Sequence, residues 1–312
     1  MTAFFLSMKI IPSILLKVLV ALIPIGALIW GAVNFDYFDY AVVELGFPSW
    51  KLSAYFTRLV IGVQCGLGIA LFFAGNRNKK LISNYLIWGS LILLVSILQV
   101  AVLPLNRVYF GYWELFKLNV WQGPLIWSVA ILAALLIRKF DRENFLNAPV
   151  WLQGVVIALG LSLPFILNYP PQWAIYGEKG ITESNTNLMV DSLASYQSSY
   201  IHHMDPNELK SGKKLICFAS LTCPFCLRAA YKFHVLRNRN PEAQCYMILT
   251  GDPSILELFE QRTSCENVPR MLLNDPLFNK ITGGGVPKIY LIDNGKITHR
   301  LPYWAVVDEH VQ

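Results

Sequence analysis

LTCPFCLRAAYKFHVL, residues 221–236, decides how the second half of the chain is read. Two cysteines, Cys223 and Cys226, stand two residues apart with proline and phenylalanine between them. Cys226, Ala229, Ala230, Phe233 and Leu236 then recur at helical spacing, while Arg228, Lys232 and Arg237 fall on the other side. An apolar strand is expected just before, over 214–220. A dithiol that follows a strand and opens a helix has a chemical consequence. The thiolate is the reactive form of cysteine, and a helix N-terminus favours negative charge. Pro224 suits the first helical turn, where its missing N–H costs nothing. Cys223 is therefore expected to attack a substrate disulfide. Cys226, one turn in on the apolar side, is expected to resolve the mixed disulfide.

The surrounding pattern extends this reading. Further strands are expected over 244–250, 288–293 and 296–301, with a helix over 254–261. Asn294-Gly295 marks a tight hairpin between the last two strands. Cys217 and Cys245 fall on central strands and are expected to pack as buried, reduced thiols. Cys265, in the loop-like stretch TSCENVP, is expected to be the extra reactive thiol. Three other readings of the pair stand beside redox chemistry: half of a zinc site, copper delivery by thiols and a histidine, and a structural disulfide. Zinc wants four ligands, and none of Cys217, Cys245, Cys265, His202, His203 or His234 repeats the spacing. A disulfide closing so short a loop stabilises little.

The first half of the chain is different material. The whole sequence of 312 residues is 54% hydrophobic and only 15% charged, against about a quarter charged in an average soluble protein. The apolar excess lies before about residue 170. Five runs, 10–33, 54–75, 81–104, 121–137 and 150–167, are expected to cross a hydrocarbon core of about 30 Å. Lys17 and Arg58 interrupt two of them; each can snorkel toward an interface or face the bundle interior, and snorkelling is the expectation for both. Gly62 and Gly66 form a GxxxG pair that signals close helix packing. The net charge of +6 sits in short links, with Arg77, Lys79 and Lys80 in one and Arg138, Lys139 and Arg142 in another. Basic links face the cytoplasm, so five spans put the N-terminus inside and everything after residue 170 outside. No basic stripe with interleaved aromatics appears, and nucleic acid is not an expected partner. The lipid bilayer is.

Residues 213–304 resemble the thioredoxin superfamily, in particular membrane-tethered periplasmic members of the TlpA type. That resemblance implies a cis proline against the dithiol, and Pro287 in GGGVPKIYLI matches the position. With Pro287 come Pro224, Phe225 and Val286 as residues that hold an extended substrate chain. Two departures stand out. The buried acid often found six residues before the first cysteine is Cys217 here, and the preceding tryptophan is Thr222. The first half resembles the MauE/DoxX-like membrane family through NRVYFGYWELFKLNVWQGP, residues 106–124, where Phe110-Gly111, Leu118 and Trp121 match. Arg107 and Tyr109 occupy that family's cysteine positions. Five spans and an outer thioredoxin-like domain also resemble bacterial VKOR-type fusions. Those need paired membrane cysteines beside a quinone, and this half has Cys65 alone.

The expectation is a helical membrane bundle followed by an α/β thioredoxin-like domain. Its parts are a four-helix MauE/DoxX-like domain (1–139), a fifth span (140–170), a connector (171–212) and the thioredoxin-like domain (213–312). The expected activity is thiol–disulfide oxidoreduction through Cys223 and Cys226, with Pro287 as third site residue. It would serve an exported cysteine-containing protein outside a bacterial inner membrane, in the periplasm, alongside a membrane redox partner. The alternatives are a partner-specific maturation or docking factor and a thiol-based metallochaperone. No cofactor or resident metal is expected.

Overall fold

The computed structural model describes residues 2–73, 79–102, 122–140, 149–169, 178–179, 186–196, 198–274 and 276–310. The chain divides into two compact units, Met1–Pro170 and Pro171–Gln312.

The described part of the first unit is helical: α1 (Thr2–Glu44), α2 (Trp50–Phe73), α3 (Lys79–Val102), α4 (Gln122–Phe140) and α5 (Val150–Leu167). Helices satisfy their own backbone groups, which apolar surroundings require. Among the described residues three helices are long and apolar enough to cross a membrane: Trp50–Phe73, Lys79–Leu98 and Val150–Leu167. The expectation of five spans is met to that extent. The first run contributes a shorter apolar stretch, Ile14–Ile29, and α4 carries Arg138 and Lys139 in its last turn. Val20, Leu67, Leu71, Ile82, Tyr85, Ala134 and Ile137 form a core drawn from α1 to α4.

The GxxxG pair lies where α2 meets α5. A β-carbon on Gly62 would stand 2.8 Å from the Leu161 carbonyl oxygen, and one on Gly66 would stand 2.8 Å from that of Ile157. The backbones are in contact, and only glycine fits.

Arg58 corrects the sequence reading. It does not snorkel: it is 0% exposed and pairs with Asp39, itself 1% exposed, at 3.1 Å. The guanidinium donates through Nε to the Asn168 carbonyl (2.8 Å), through Nη2 to Asn168 Oδ1 (2.8 Å) and through Nη1 to the Ala54 carbonyl (2.6 Å). The Thr57 hydroxyl donates to the same Asp39 carboxylate, and Phe35 lies under the guanidinium at 4.6 Å. A buried charge is tolerated when every donor is satisfied. The partners stand on α1, on α2 and just past α5, which sequence spacing does not reveal. Lys17 is also turned into the unit, with interactions of its own.

The described residues of the second unit build a seven-stranded mixed sheet. Its strands are β1 (Glu178–Lys179), β2 (Ile201–His202), β3 (Lys213–Ser220), β4 (Cys245–Thr250), β5 (Arg270–Leu272), β6 (Lys288–Asp293) and β7 (Lys296–Leu301). They lie in the order β1-β7-β6-β3-β4-β5-β2. β3, β4 and β5 run parallel, and β6 is antiparallel to β3 and β7. β3 alternates its side chains between two covered faces. Ile216 and Phe218 join Val190 and Leu193 of α6 (Thr186–Ser195) and Phe278 of α9 (Pro276–Thr282). On the other side α7 (Pro224–Arg239) packs on β3 and β4 beside α8 (Leu256–Thr263). The hairpin turns at Asn294 and Gly295, both at positive φ.

Residues 171–212 are more than a connector. β1 extends the sheet beside β7, and β2 pairs with β5 at the other edge, while Val190, Leu193 and Leu209 are buried. After β7 the chain forms two single turns, Tyr303–Ala305 and Asp308–His310.

Removing Arg58 leaves Asp39 buried without its ion pair. Arg58→Met in the full-length protein in detergent should lower unfolding stability by about 3 kcal/mol or more. Arg58→Met combined with Asp39→Leu should recover much of the loss. A single variant as stable as the parent would show that the pair carries no structural weight.

Candidate active site

The path from β3 into α7 builds the site. β3 ends at Ser220, and the Leu221 N–H donates to the Thr250 carbonyl (3.0 Å), so the turn is tied to the end of β4. Cys223 is the N-cap of α7, with extended backbone (φ −82, ψ 122) and Pro224 following in the first turn. The Cys223 carbonyl accepts from the N–H groups of Cys226 (3.0 Å) and Leu227 (3.1 Å) and so closes that turn. Cys223 thus stands at the N-terminal, positive end of the helix.

Cys226 is in a different environment. It is buried, and its sulfur accepts from the Ser220 N–H at 3.3 Å. Burial pushes its thiol far above the ordinary range, and a side-chain hydrogen bond with Cys223 adds to the rise. Cys226 therefore holds its proton while Cys223 is the accessible sulfur. Both are thiols in this structure.

The opposite wall is the turn before β6. The Val286–Pro287 bond is cis, and the Cys223 S–H faces the Val286 carbonyl at 3.8 Å. Phe225 is 53% exposed beside it. The structure thus gathers Cys223, Cys226, Pro224, Phe225, Val286 and Pro287 around one point.

Spacing did not point to the rest of the site. A groove of about 560 Å³ runs from Phe225 and Pro287 along Lys288, Arg300, Leu301, Pro302, Tyr303 and Trp304. Tyr303 packs against Phe225 (6.4 Å between ring centroids) and Trp304 (5.2 Å). Lys232, fully buried on α7, donates to the Trp304 carbonyl at 2.8 Å. This bond ties the groove wall to the helix that carries the dithiol. The sequence signal that would have found the wall is the Pro-Tyr-Trp run directly after the last strand.

The other thiols divide. Cys217 and Cys245 are buried on β3 and β4, as their strand positions imply. Burial holds the Cys217 thiol well above the usual range and pushes Cys245 up to about 11. Cys265 contradicts its loop-like sequence: it is fully buried, and burial pushes it up to about 11. Its turn is held by Arg270, which donates to the Cys265 (3.0 Å) and Val268 (3.0 Å) carbonyls and pairs with Glu260. In the first unit Cys65 is buried, and its S–H donates to the Pro24 carbonyl. Among the described residues no three His, Cys, Asp or Glu side chains come together as a metal site. His202 lies on β2 with Nε2 at 3.1 Å from the Glu266 carbonyl.

Two solved structures are similar to this chain. One is a secreted Mycobacterium tuberculosis disulfide oxidoreductase homologous to E. coli DsbE. It is 17% identical, with a TM-score of 0.30, and covers 34% of this chain and 81% of its own. The other is the thioredoxin domain of a thiol-disulfide oxidoreductase from Bacteroides vulgatus. It is 16% identical, with a TM-score of 0.30, and covers 38% of this chain and 100% of its own. No protein-family model matches the chain, and no curated protein does. The MauE/DoxX-like resemblance thus has no family match behind it, and most of its stretch, 106–121, lies outside the described residues.

The two sulfurs should differ in reactivity. In the reduced full-length protein, iodoacetamide should modify Cys223 about tenfold faster than Cys226 or more, because a buried thiol reacts only on local opening. Peptide mapping over a time course reads the two rates. Equal rates would contradict the division of roles.

Proposed function

We propose that the chain is a membrane-anchored thiol–disulfide oxidoreductase whose second unit works outside the cytoplasm on cysteine-containing exported proteins. The observation that carries this reading is the asymmetric dithiol: an accessible Cys223 at a helix N-terminus and a buried, protonated Cys226 one turn inside. The apolar helices of the first unit support anchoring, and the basic links support the sidedness.

The chemistry follows from the geometry. The Cys223 thiolate attacks one sulfur of a substrate disulfide. That S–S bond breaks, a mixed disulfide forms, and the second substrate sulfur leaves as a thiolate and takes up a proton. Cys226 then loses its proton and attacks the Cys223 sulfur, which releases the first substrate sulfur as a thiol. The substrate has gained two electrons and two protons, and the protein holds a Cys223–Cys226 disulfide. The same steps in reverse pass a disulfide to a substrate dithiol. The Val286–Pro287 turn opposite Cys223 is where an extended substrate chain would lie.

A tether needs one helix. The first unit has a shared core and a buried ion pair, and we assign it a second role, that of holding a membrane redox partner or the exported substrate.

Without Cys226 the mixed disulfide has no internal route to resolution. Full-length protein carrying Cys226→Ala should accumulate substrate proteins in disulfide linkage to Cys223. These adducts should disappear on reduction and be absent when Cys223→Ala is added. A Cys226→Ala protein that traps nothing in cells would overturn this reading.

A further inference from the structure

We propose that release, not capture, limits the exchange: the protein dwells in covalent linkage with its substrate until solvent removes the proton of Cys226. This rests on the exchange reaction proposed above and adds what governs the same site.

Release starts from the mixed disulfide. There the Cys223 sulfur is bonded to the substrate and takes no proton. Cys226 attacks only as a thiolate, so the surroundings of its sulfur decide the rate. That sulfur meets the Ser220 N–H at 3.3 Å, a donor that accepts no proton. The rest of its surroundings is apolar or sulfur. β3 alternates, with Ile216 and Phe218 in the opposite core, so Cys217 and Ala219 face the side that α7 covers. Cys217, Ala219, Ala229, Ala230 and Phe233 are all fully buried. Cys217 is near enough that a charge on it would oppose one on Cys226. Burial holds the Cys217 thiol itself well above the usual range, so it is no base at neutral pH.

The buried groups able to take a proton are engaged elsewhere. On α7, Lys232 donates to the Trp304 carbonyl, and His234 is held between Asn267 (3.0 Å) and Asn238 (2.7 Å). Beyond α7, Glu260 pairs with Arg270 and accepts from the Tyr200 hydroxyl. Among the described residues no carboxylate, imidazole or amine is hydrogen-bonded to the Cys226 sulfur. Its proton therefore passes to solvent. The Cys226 thiolate then attacks the Cys223 sulfur, the bond from Cys223 to the substrate sulfur breaks, and the substrate thiolate takes a proton back from solvent. Electrons and protons balance without a further reagent. While Cys226 is mostly protonated, its thiolate fraction rises about tenfold per pH unit, and release rises with it. The linked state lasts longest in acid.

The test mixes reduced full-length protein in detergent with a large excess of hydroxyethyl disulfide. Samples are quenched in acid at successive times, and mass spectrometry separates free thiols, the Cys223 adduct and the Cys223–Cys226 disulfide. At neutral pH the adduct should become the main species before the closed disulfide appears. Its decay should not depend on the hydroxyethyl disulfide concentration and should quicken about tenfold per pH unit between about pH 6 and pH 8. Cys217→Asp, which sets a carboxylate on the strand beneath Cys226, should quicken the decay at neutral pH about tenfold or more and flatten its pH slope. Cys217→Ala should leave the decay unchanged. An adduct that never accumulates in the wild-type protein, a decay that ignores pH, or a Cys217→Ala decay much slower than the parent's would overturn the proposal. So would a folded Cys217→Asp protein whose decay matches the parent's. If Cys217→Asp does not fold, the wild-type pH slope and Cys217→Ala decide. A closed disulfide that forms without a detectable adduct defeats this inference alone. If neither the adduct nor the closed disulfide forms, the exchange chemistry itself has failed.

Discussion

The Ser220 N–H, at the end of β3, donates to the Cys226 sulfur, while Cys223, one turn earlier, caps the same helix from outside the core. A strand end, a tight turn and a helix start fix two identical side chains in unlike surroundings. Burial holds Cys226 protonated, while Cys223 at the helix N-terminus is only partly buried. Without that asymmetry the dithiol has no preferred order of attack. The rest of the second unit keeps it in place. β4 and β6 flank β3, α7 lies over the sheet, and the Val286–Pro287 turn closes against the Cys223 sulfur. Lys232 extends the same rigidity into the groove wall.

The first unit depends on a different kind of constraint. Its helices are joined by contact between backbones at Gly62, Gly66 and Gly160 and by the Asp39–Arg58 pair with its satellites Thr57 and Asn168. Apolar side chains on such helices gain little from one another where lipid offers the same contacts, so close packing and satisfied polar groups carry the association. Asn168 lies one residue past the end of α5. The Arg58 network therefore fixes how the chain leaves the last apolar helix.

Much of the second unit was legible because its signals are local. The strand before the dithiol, the helix after it, the Asn-Gly hairpin and the strand 288–293 all follow from short-range pattern, and the structure places them within a residue or so. β5 was missed because it is three residues long and begins with an arginine, and nothing in the sequence shows that Arg270 is buried among carbonyls. The connector was underestimated for a related reason. β1 and β2 are two residues each, too short for any period, and they exist by pairing with distant edges of the sheet. Cys265 looked exposed because its neighbours are polar, yet a single-turn helix folds it inward. Arg58 looked like a snorkelling residue because its partner Asp39 lies on another helix. In each case the deciding contact is long-range. The groove wall belongs here too: Tyr303 and Trp304 approach Phe225 only once the hairpin has folded back.

Cys223 and Cys226 should form a closed, reversible redox pair within this chain, and the proposed exchange chemistry depends on it. Equilibration of the full-length protein in detergent against graded mixtures of reduced and oxidised dithiothreitol, with each thiol scored by mass spectrometry after acid quench, tests this directly. One two-electron transition should link Cys223 to Cys226 and leave Cys65, Cys217, Cys245 and Cys265 reduced throughout. A dithiol that stays reduced across the whole range, or a disulfide that joins Cys223 to any other cysteine, would contradict it.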